Sequence, residues 1–446
     1  MATRGRVAVI GGGLAGASFV DALNGMRPDI KVEVFEREPG VGGRFLSEKQ
    51  GNVTCELGSN FLLGNGKVLV DLVFKHDCGI DPALKPEDDI AIVDGSGVAN
   101  SGTRLSLITK GIFRYGLSLV GFGSLVKAKA NAMAAIQPRV QIGSNAPFQS
   151  PGEIIHSLGD SREFSTNALE FCNQQGYNDR LTFELIQGMS RFALGQNLDR
   201  VNAAAVLQAF TSAVVASFYV RGGIQALLTK VFKKANLNLG AQVTAIDQSA
   251  SGYVVQYTQN GVANSKEFDA VFIATPLGAF SNIQINVPGV LPVRPSQLSP
   301  ISVTFVAGAL NAQFFGANVD FSENIVFGRG TEGKFANIKG LQKVAENFAL
   351  KSGGSGKLYR ILSDTPLTDQ QLSLFFYRSE IVTQKHWPFG LVNTPADNPN
   401  SLEPFRIAPG LYQSSSMEKY LGNMEMQAIA GRNVANLLAK TEPHLL

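Results

Sequence analysis

A glycine-rich turn lies between an apolar segment and a helical segment at the start of the chain. Val7–Ile10 is apolar and rich in β-branched residues, as a buried parallel strand is. Gly11, Gly13 and Gly16 follow in the spacing G-x-G-x-x-G, which permits a tight turn, close approach of the backbone to a pyrophosphate, and close packing of helix on sheet. We therefore expect a dinucleotide at the start of a helix Leu14–Asn24, where free N–H groups favour an anion.

An acid follows at the spacing that a nucleotide-binding unit requires. Val32–Phe35 predicts a second strand, and Glu36 ends it 20 residues after Gly16 (36 − 16). A carboxylate at this position accepts hydrogen bonds from a ribose. Gly42-Gly43-Arg44 then suits a loop close to a diphosphate, with a guanidinium for a phosphate or a flavin edge. These features favour FAD over NAD.

Length and composition indicate a globular protein with two domains. The 446 residues exceed what one core usually holds, and 44% are hydrophobic against 17% charged. The net charge of +3 and the lack of basic runs with interleaved aromatics argue against nucleic-acid binding. Because the first strand begins at Val7, we expect no signal or transit peptide and a cytoplasmic location, with membrane association left open.

Cysteines and histidines are scattered. No C-x-x-C pair occurs, so we expect reduced thiols and neither a disulfide scaffold nor a zinc site. The dispersed histidines argue against a histidine-based metal centre. The residues concerned are Cys55, Cys78, Cys172, His76, His156, His386 and His444.

Two long segments in the middle of the chain have more than one interpretation. Val201–Val220 contains no charged residue and is long enough to span a bilayer, but Asn202 and Gln208 interrupt it. We expect a buried helix beside an apolar substrate pocket. Leu107–Ala135 is basic and amphipathic, which predicts a helix that either covers the substrate domain or lies on a membrane surface.

Later segments predict that the chain returns to the first sheet. Ala270–Ala274 reads as a buried strand, and Gly410–Ser415 as a strand before a helix Met424–Leu438. The predicted fold is α/β: a discontinuous Rossmann-like, glutathione-reductase-type FAD-binding domain with an α+β substrate-binding domain. The boundaries are 1–96, 215–285 and 405–446 for the FAD-binding domain, and 97–214 and 286–404 for the substrate-binding domain.

The chain resembles the prenylcysteine oxidases (farnesylcysteine lyases), within the FAD-dependent amine oxidase superfamily. The Met-Glu-Met-x-Ala-Ile-Ala-x-x-Asn helix and Lys385-His386-Trp387-Pro388 point most narrowly to this family. The other segments that carry the resemblance are Val7–Gly16, Glu36-Arg37, Gly42–Arg44, Glu56–Ser59, Phe183–Val201, Tyr219–Gly223, Leu358–Leu362 and Met417-Glu418.

The resemblance implies roles for cofactor-binding residues. Arg37 and Arg44 would lie beside the adenine or diphosphate, and the Val243 backbone would touch adenine. The helix from Met424 would aim its N-terminus at the flavin pyrimidine with Glu425, which otherwise is an ordinary first-turn acid. The full set is Gly11, Gly13, Leu14, Ala15, Gly16, Glu36, Arg37, Gly43, Arg44, Gly58, Ser59, Val243, Met424 and Glu425.

The same resemblance also implies candidates for catalysis and substrate binding. Lys385, His386 and Trp387 would lie near the isoalloxazine, unless they form a surface turn before Pro388. Phe192, Phe210 and Phe218 would line an apolar tunnel, or else pack in the core. No metal is expected.

The reaction that the resemblance implies is oxidation of a thioether. Flavin N5 would take a hydride from the carbon beside sulfur, water would add, and an aldehyde and a thiol would form, with O2 reoxidising the flavin to give H2O2. The substrate would be small and apolar, an isoprenoid thioether in this family. Three alternatives remain: an amine oxidase or natural-product tailoring oxidase, a carotenoid-like desaturase, and a flavin-binding protein without turnover. The oligomeric state is not predicted.

Overall fold

Strands and helices are distributed along the whole chain in the computed structural model, which describes residues 5–83, 88–278, 281–316, 324–331, 335 and 338–443. The strands are β1 (Arg6–Ile10), β2 (Lys31–Glu36), β3 (Ser47–Gln50), β4 (Val53–Glu56), β5 (Leu62–Leu63), β6 (Ile80–Pro82), β7 (Asp89–Asp94), β8 (Gly97–Thr103), β9 (Ser217–Val220), β10 (Asn236–Leu239), β11 (Ala241–Gln248), β12 (Tyr253–Gln259), β13 (Val262–Phe268), β14 (Ala270–Ile273), β15 (Gln284–Asn286), β16 (Leu298–Leu310), β17 (Asn324–Phe327), β18 (Ile338–Ala349), β19 (Ser355–Ser363), β20 (Phe376–Leu391), β21 (Arg406–Ala408) and β22 (Leu411–Gln413).

The helices occupy the stretches between these strands. The α-helices are α1 (Leu14–Met26), α2 (Lys67–Lys75), α3 (Arg104–Tyr115), α4 (Leu117–Ala132), α5 (Gln137–Val140), α6 (Pro151–Leu158), α7 (Ser161–Ser165), α8 (Ala168–Gln174), α9 (Gln187–Leu194), α10 (Ala203–Phe210), α11 (Ile224–Phe232), α12 (Asp369–Phe375), α13 (Met417–Tyr420) and α14 (Met424–Thr441). A π-helical turn covers Leu181–Ile186, and short 3₁₀ turns cover Thr211–Ala213, Ala312–Phe315 and Pro399–Ser401.

The predicted nucleotide-binding strands form a sheet with the order β10-β2-β1-β14-β22-β21, in which all pairs are parallel except that of β22 with the edge strand β21. We call it the parallel sheet. Strands β1, β14 and β22 come from the start, middle and end of the chain and pair in parallel, which confirms the predicted return of the chain to this sheet. On one face α1 packs against α14 so closely that a Cβ on Gly431 would overlap the Ala15 carbonyl. Strand β10 was not predicted.

A second sheet, with the order β20-β16-β19-β18-β17-β7-β8, stands opposite the carboxyl ends of the parallel strands. Its register places Gln342, Arg360 and Phe305 in one row across three strands, with Leu362, Val303 and Lys385 in a neighbouring row on the same face. The opposite face packs with α12 in a separate apolar core that contains Tyr359 and Ile361.

The domain boundaries given above stay a prediction. Strand β7 was assigned there to the FAD-binding domain, but it pairs with β17 and β8 in the second sheet. Strands β11, β12, β13 and β15 form a smaller sheet of their own beside the parallel sheet.

The prediction of one buried helix over Val201–Val220 is wrong. The segment contains α10, a 3₁₀ turn and then β9, which pairs with β5 and β6. Leu107–Ala135 is also divided, because Gly116 has a φ of +66° and separates α3 from α4. Within the part of the chain that the structure describes, no helix combines the length and apolar character needed to cross a membrane.

Candidate functional site

A cavity of about 1030 Å³ lies between the two large sheets. From the parallel sheet, Ile10, Glu36 and Ala274 line it, each at or just after the carboxyl end of a strand. From the second sheet, Arg360 and Lys385 line it. The carboxyl ends of parallel strands are where open α/β sheets bind their ligands.

Each of the three motif glycines has a different structural role. Gly11 has a φ of +112°, and a Cβ there would lie 3.2 Å from the Ala274 carbonyl carbon. A Cβ on Gly16 would overlap the Gly11 carbonyl oxygen, so this glycine permits the close packing of helix on strand. A Cβ on Gly13 would meet nothing within 4 Å. The space beside Gly13 is open and belongs to the cavity, as a bound pyrophosphate requires.

The start of α1 offers hydrogen-bond donors to this space. Its N-cap is Gly13, which provides no side chain to satisfy the amides of the first turn. Gly13, Leu14 and Ala15 all line the cavity, whereas Gly16 does not. An anion bound here would meet both the free N–H groups and the positive end of the helix dipole.

Glu36 holds its carboxylate at the cavity wall. Its Oε2 accepts a hydrogen bond from the Gly12 amide at 2.7 Å, and its Oε1 accepts one from the Glu38 amide at 2.9 Å. Burial raises the pKa of Glu36, and these two backbone hydrogen bonds oppose that rise. Each oxygen can accept a second hydrogen bond, so the group fits a ribose diol. Arg37 and Val243 also line the cavity.

The glycine–arginine loop lies directly on the glycine turn. The Gly42 amide donates to the Gly12 carbonyl at 3.0 Å, and a Cβ on Gly43 would lie 3.4 Å from the Gly13 Cα. Arg44 forms an ion pair with the buried Glu418. Burial raises the pKa of Glu418, and Arg44 opposes that rise. The Glu418 Oε2 atom has no hydrogen-bond partner among the residues that the structure describes.

Arg360 fixes the segment that follows this loop. Its Nε donates to the Glu56 carbonyl at 3.2 Å and its Nη2 to the Gly58 carbonyl at 2.8 Å. Burial lowers the pKa of Arg360 to about 10. Gly58 and Ser59 thereby line the cavity beside the guanidinium.

Lys385, His386 and Trp387 lie within β20 rather than in a surface turn. The Trp387 Nε1 donates to the Leu57 carbonyl at 2.6 Å, and the Lys385 ammonium lies 5.2 Å from the centre of the Trp387 ring. His386 Nδ1 is 2.9 Å from the hydroxyl of the buried Ser302. All three predicted residues line the cavity, and their catalytic roles stay predictions.

Glu425 and Met424 also line the cavity, but the Glu425 carboxylate contacts another helix. It accepts hydrogen bonds from the Val68 and Leu69 amides, both at 2.9 Å, at the start of α2. Burial raises the pKa of Glu425 to about 7. The side chain therefore caps α2, whereas the predicted contact of the α14 N-terminus with a flavin stays a prediction.

The three phenylalanines proposed for the substrate pocket do not all lie at the cavity. Phe192 lines the cavity, whereas Phe210 and Phe218 lie outside its lining. Phe210 instead packs edge-on against Phe122, with ring centres 4.7 Å apart, so for these two residues the structure differs from the prediction. The apolar residues that line the cavity include Phe61, Leu62, Leu63, Phe192, Leu194, Ala205, Ala209, Ile301, Leu362 and Phe389.

Arg360 and Glu418 were given no role from the sequence. The sequence did contain a sign that Arg360 is buried. It lies two residues from both Leu358 and Leu362, so the three side chains share one face of β19, which is buried. No comparable signal marks Glu418, because its partner Arg44 is 374 residues away. Within the described ranges no group of three or more His, Cys, Asp or Glu side chains could hold a metal ion. His444 lies outside those ranges.

Two family models match the chain. One, described as prenylcysteine lyase, matches residues 98–442, and one described as an NAD(P)-binding Rossmann-like domain matches residues 9–74. Among characterised proteins the chain is similar to farnesylcysteine lyase of Arabidopsis thaliana, with 22% identity over 457 residues, 97% of this chain and 87% of that protein.

Solved structures of two amine oxidases share the fold over nearly the whole chain. A putrescine oxidase double mutant superposes with a TM-score of 0.64 at 14% identity, covering 97% of this chain and 98% of that one. Cyclohexylamine oxidase from Brevibacterium oxydans gives a TM-score of 0.60 at 12% identity, covering 99% and 100%. The predicted fold class is thus confirmed. Because the first family model spans most of the sequence, the chain belongs to the prenylcysteine lyase family and is an oxidoreductase.

Proposed function

We propose that this chain is an FAD-dependent oxidase that cleaves the thioether of an isoprenoid-modified cysteine. The observation that carries the proposal is the continuity of the cavity, which joins the glycine turn of α1 to an apolar region. Family membership supports the substrate class, since a similar protein is a farnesylcysteine lyase. An isoprenoid chain would bury its surface against the apolar lining.

The helix N-termini support an anionic cofactor at α1. Helices α1, α2 and α11 all have a glycine N-cap with no side-chain cap of its own. At two of these helices a carboxylate from a distant part of the chain accepts hydrogen bonds from first-turn amides. Glu425 does so at α2 and Glu56 at α11. The start of α1 faces the cavity instead. A diphosphate would take the place that a carboxylate takes at the other two helices.

FAD, if bound at this site, would supply the two-electron oxidation of the carbon beside sulfur, and with water and O2 as co-substrates the products would be an aldehyde, a thiol and H2O2. Glu36 would bind the adenosine ribose, and Arg44, held by its ion pair with Glu418, would lie beside the diphosphate. Arg360 and Lys385 place two cations on the cavity face of the second sheet. The acids of the described lining, Glu36, Glu38, Glu418 and Glu425, come from other elements. This wall therefore favours a group that gains negative charge.

The remaining contribution of the chain is orientation and exclusion of water. Phe61, Leu63 and Phe192 would hold the apolar substrate in one position and keep the reacting carbon in a dry environment. His386 lies at the rim, with an exposed ring whose Nδ1 is already engaged by Ser302. The reaction as proposed needs no protein base at the carbon that is oxidised.

Anaerobic mixing of the purified protein with farnesylcysteine tests the proposal. We expect the flavin absorbance near 450 nm to bleach, and expect equimolar farnesal and cysteine on readmission of air, with H2O2. Putrescine is the comparison substrate, because a putrescine oxidase shares the fold. Bleaching by putrescine but not by farnesylcysteine would replace the proposal with amine oxidation.

Three further outcomes would contradict the proposal. A colourless protein that fails to bind added FAD would remove the cofactor assignment. A yellow protein that no thioether and no amine reduces would indicate a flavin-binding protein without turnover. Bleaching by a hydrocarbon polyene, with a new double bond in the product, would instead indicate a desaturase.

A further inference from the structure

The α3–α4 hairpin exposes large apolar side chains on one side. Phe113 is 94% exposed and Leu117 is 85% exposed, on either side of the turn at Gly116. Ile108, Ile112 and Val120 are also exposed. We name these five apolar residues the hairpin tip. Isolated exposed hydrophobic residues are ordinary, whereas a contiguous group marks an interaction surface.

The opposite side of the same hairpin is packed into the protein. Phe122 of α4 contacts Phe210 of α10 edge-on, and its ring centre lies 5.8 Å from that of Tyr177. Val126 is buried on this side as well. The hairpin is thus anchored by one face, and among the described residues none of the five tip residues belongs to an apolar core cluster.

The charge of the hairpin is entirely positive. No Asp or Glu occurs between Asp94 and Glu153 in the sequence. Lys110 and Lys127 are exposed on the hairpin, whereas Arg114 is neutralised by Glu184 at 2.6 Å. Apolar side chains flanked by exposed lysines match the composition of a bilayer interface with anionic headgroups.

We propose that the hairpin tip inserts into the surface of an anionic lipid bilayer. A second copy of the chain fits less well, because two hairpins would bring like charges together. A stable dimer interface also uses roughly 20–30 residues on each partner, far more than the five residues of the hairpin tip. In the bilayer, Phe113 and Leu117 would enter the boundary between headgroups and acyl chains, and the lysines would contact the headgroups.

The position of the hairpin relates the membrane to the cavity. Helix α4 packs against α10, and Ala205 and Ala209 of α10 line the cavity. Docking would bring this end of the cavity close to the lipid. The docking itself does not depend on the reaction proposed above.

Flotation of the full chain with vesicles tests the proposal. We expect wild type to float with vesicles of phosphatidylcholine and phosphatidylserine, and to float less at high salt. Phe113→Ser with Leu117→Ser should weaken partitioning by at least about tenfold on these vesicles. Lys110→Gln with Lys127→Gln should weaken it on anionic vesicles and leave binding to phosphatidylcholine alone unchanged. Leu291→Ser is the matched control, since Leu291 is exposed but lies outside the hairpin, and it should bind as wild type does.

Circular dichroism and bound flavin should be the same in every variant, so loss of flotation would not reflect misfolding or loss of the cofactor. Wild type that does not float with anionic vesicles would overturn the proposal, as would a double serine variant that floats as wild type does. A wild-type dimer that the serine variant converts to a monomer, without vesicle binding, would assign the tip to a second copy and overturn it as well.

Discussion

The Glu56 carboxylate accepts a hydrogen bond from the Ile224 amide at 3.0 Å, across 168 residues of sequence. Its other oxygen accepts the Ser47 hydroxyl at 2.8 Å. Gly223, the N-cap of α11, has a φ of +93° and no side chain, so the acid of β4 replaces the missing cap. Burial raises the pKa of Glu56 to about 7. This single group therefore connects the segment after the glycine–arginine loop to α11.

Glu56→Gln should become more stable relative to wild type as the pH rises. The folded-state pKa of Glu56 is raised from 4.5 to about 7, so its stabilising contribution is complete below pH 4.5 and is lost as the pH rises through 7. The glutamine does not titrate. The difference in free energy of unfolding should shift toward the variant by about 3 kcal/mol between pH 4.5 and 8, at about 1.4 kcal/mol per pKa unit.

Urea unfolding at several pH values measures this difference. Glu267→Gln on β13 is the control, because Glu267 is an exposed acid. A constant difference between wild type and Glu56→Gln over the same pH range would contradict the pKa assigned to Glu56.

Gly13→Ala and Gly16→Ala should fail in different ways. The Gly13 φ is −87°, and its Cβ would enter open space, so the apoprotein should keep its Tm. The same methyl group would occupy the proposed diphosphate position, so flavin retention should fall. Gly16→Ala should instead lower the Tm, because its Cβ would overlap the Gly11 carbonyl. Thermal unfolding and the ratio of absorbance at 450 and 280 nm distinguish the two. Tight flavin binding by Gly13→Ala would argue against a diphosphate at this turn.

Glu36→Ala should release FAD. The variant loses the acceptor for the Gly12 and Glu38 amides and the proposed acceptor for the ribose. Hydrogen bonds to charged groups are worth about 1.5–3 kcal/mol, so Kd for FAD should rise by about tenfold or more. Fluorescence titration measures it. Glu267→Ala removes an exposed acid outside the cavity lining and should bind FAD with a Kd close to that of wild type. Equal Kd values for Glu36→Ala and wild type would refute the ribose role.

The N-terminal unit could be predicted from the sequence because its determinants are local. The apolar strand, glycine turn, helix and second strand between Val7 and Glu36 each depend on neighbours a few residues away. The error at Val201–Val220 has the opposite cause. Strand β9 forms because Ser217–Val220 pairs with β5 and β6, and a lack of charge alone cannot distinguish that pairing from a buried helix.

The site shows the same division between local and distant determinants. Thirteen of the fourteen predicted cofactor residues line the cavity, all except Gly16. The partners that orient them, Glu418 for Arg44 and Arg360 for Gly58, were not assigned, because each contact joins segments hundreds of residues apart. The predicted aromatic residues of the substrate pocket differ in position for a related reason. The local sequence does not distinguish Phe192 from Phe210. Tertiary packing places Phe192 at the cavity and Phe210 against Phe122.

Arg360→Lys should loosen the segment between Glu56 and Ser59 while keeping a positive charge. A lysine cannot reproduce the two donations of the guanidinium to the Glu56 and Gly58 carbonyls. Leaving these acceptors without a donor should cost about 1–3 kcal/mol of unfolding free energy and weaken FAD retention. Arg378→Lys, an exposed change on β20, is the control. Urea unfolding and flavin release rates measure the two effects. Flavin release as slow as in wild type, together with unchanged stability, would show that Arg360 does not position this wall of the cavity.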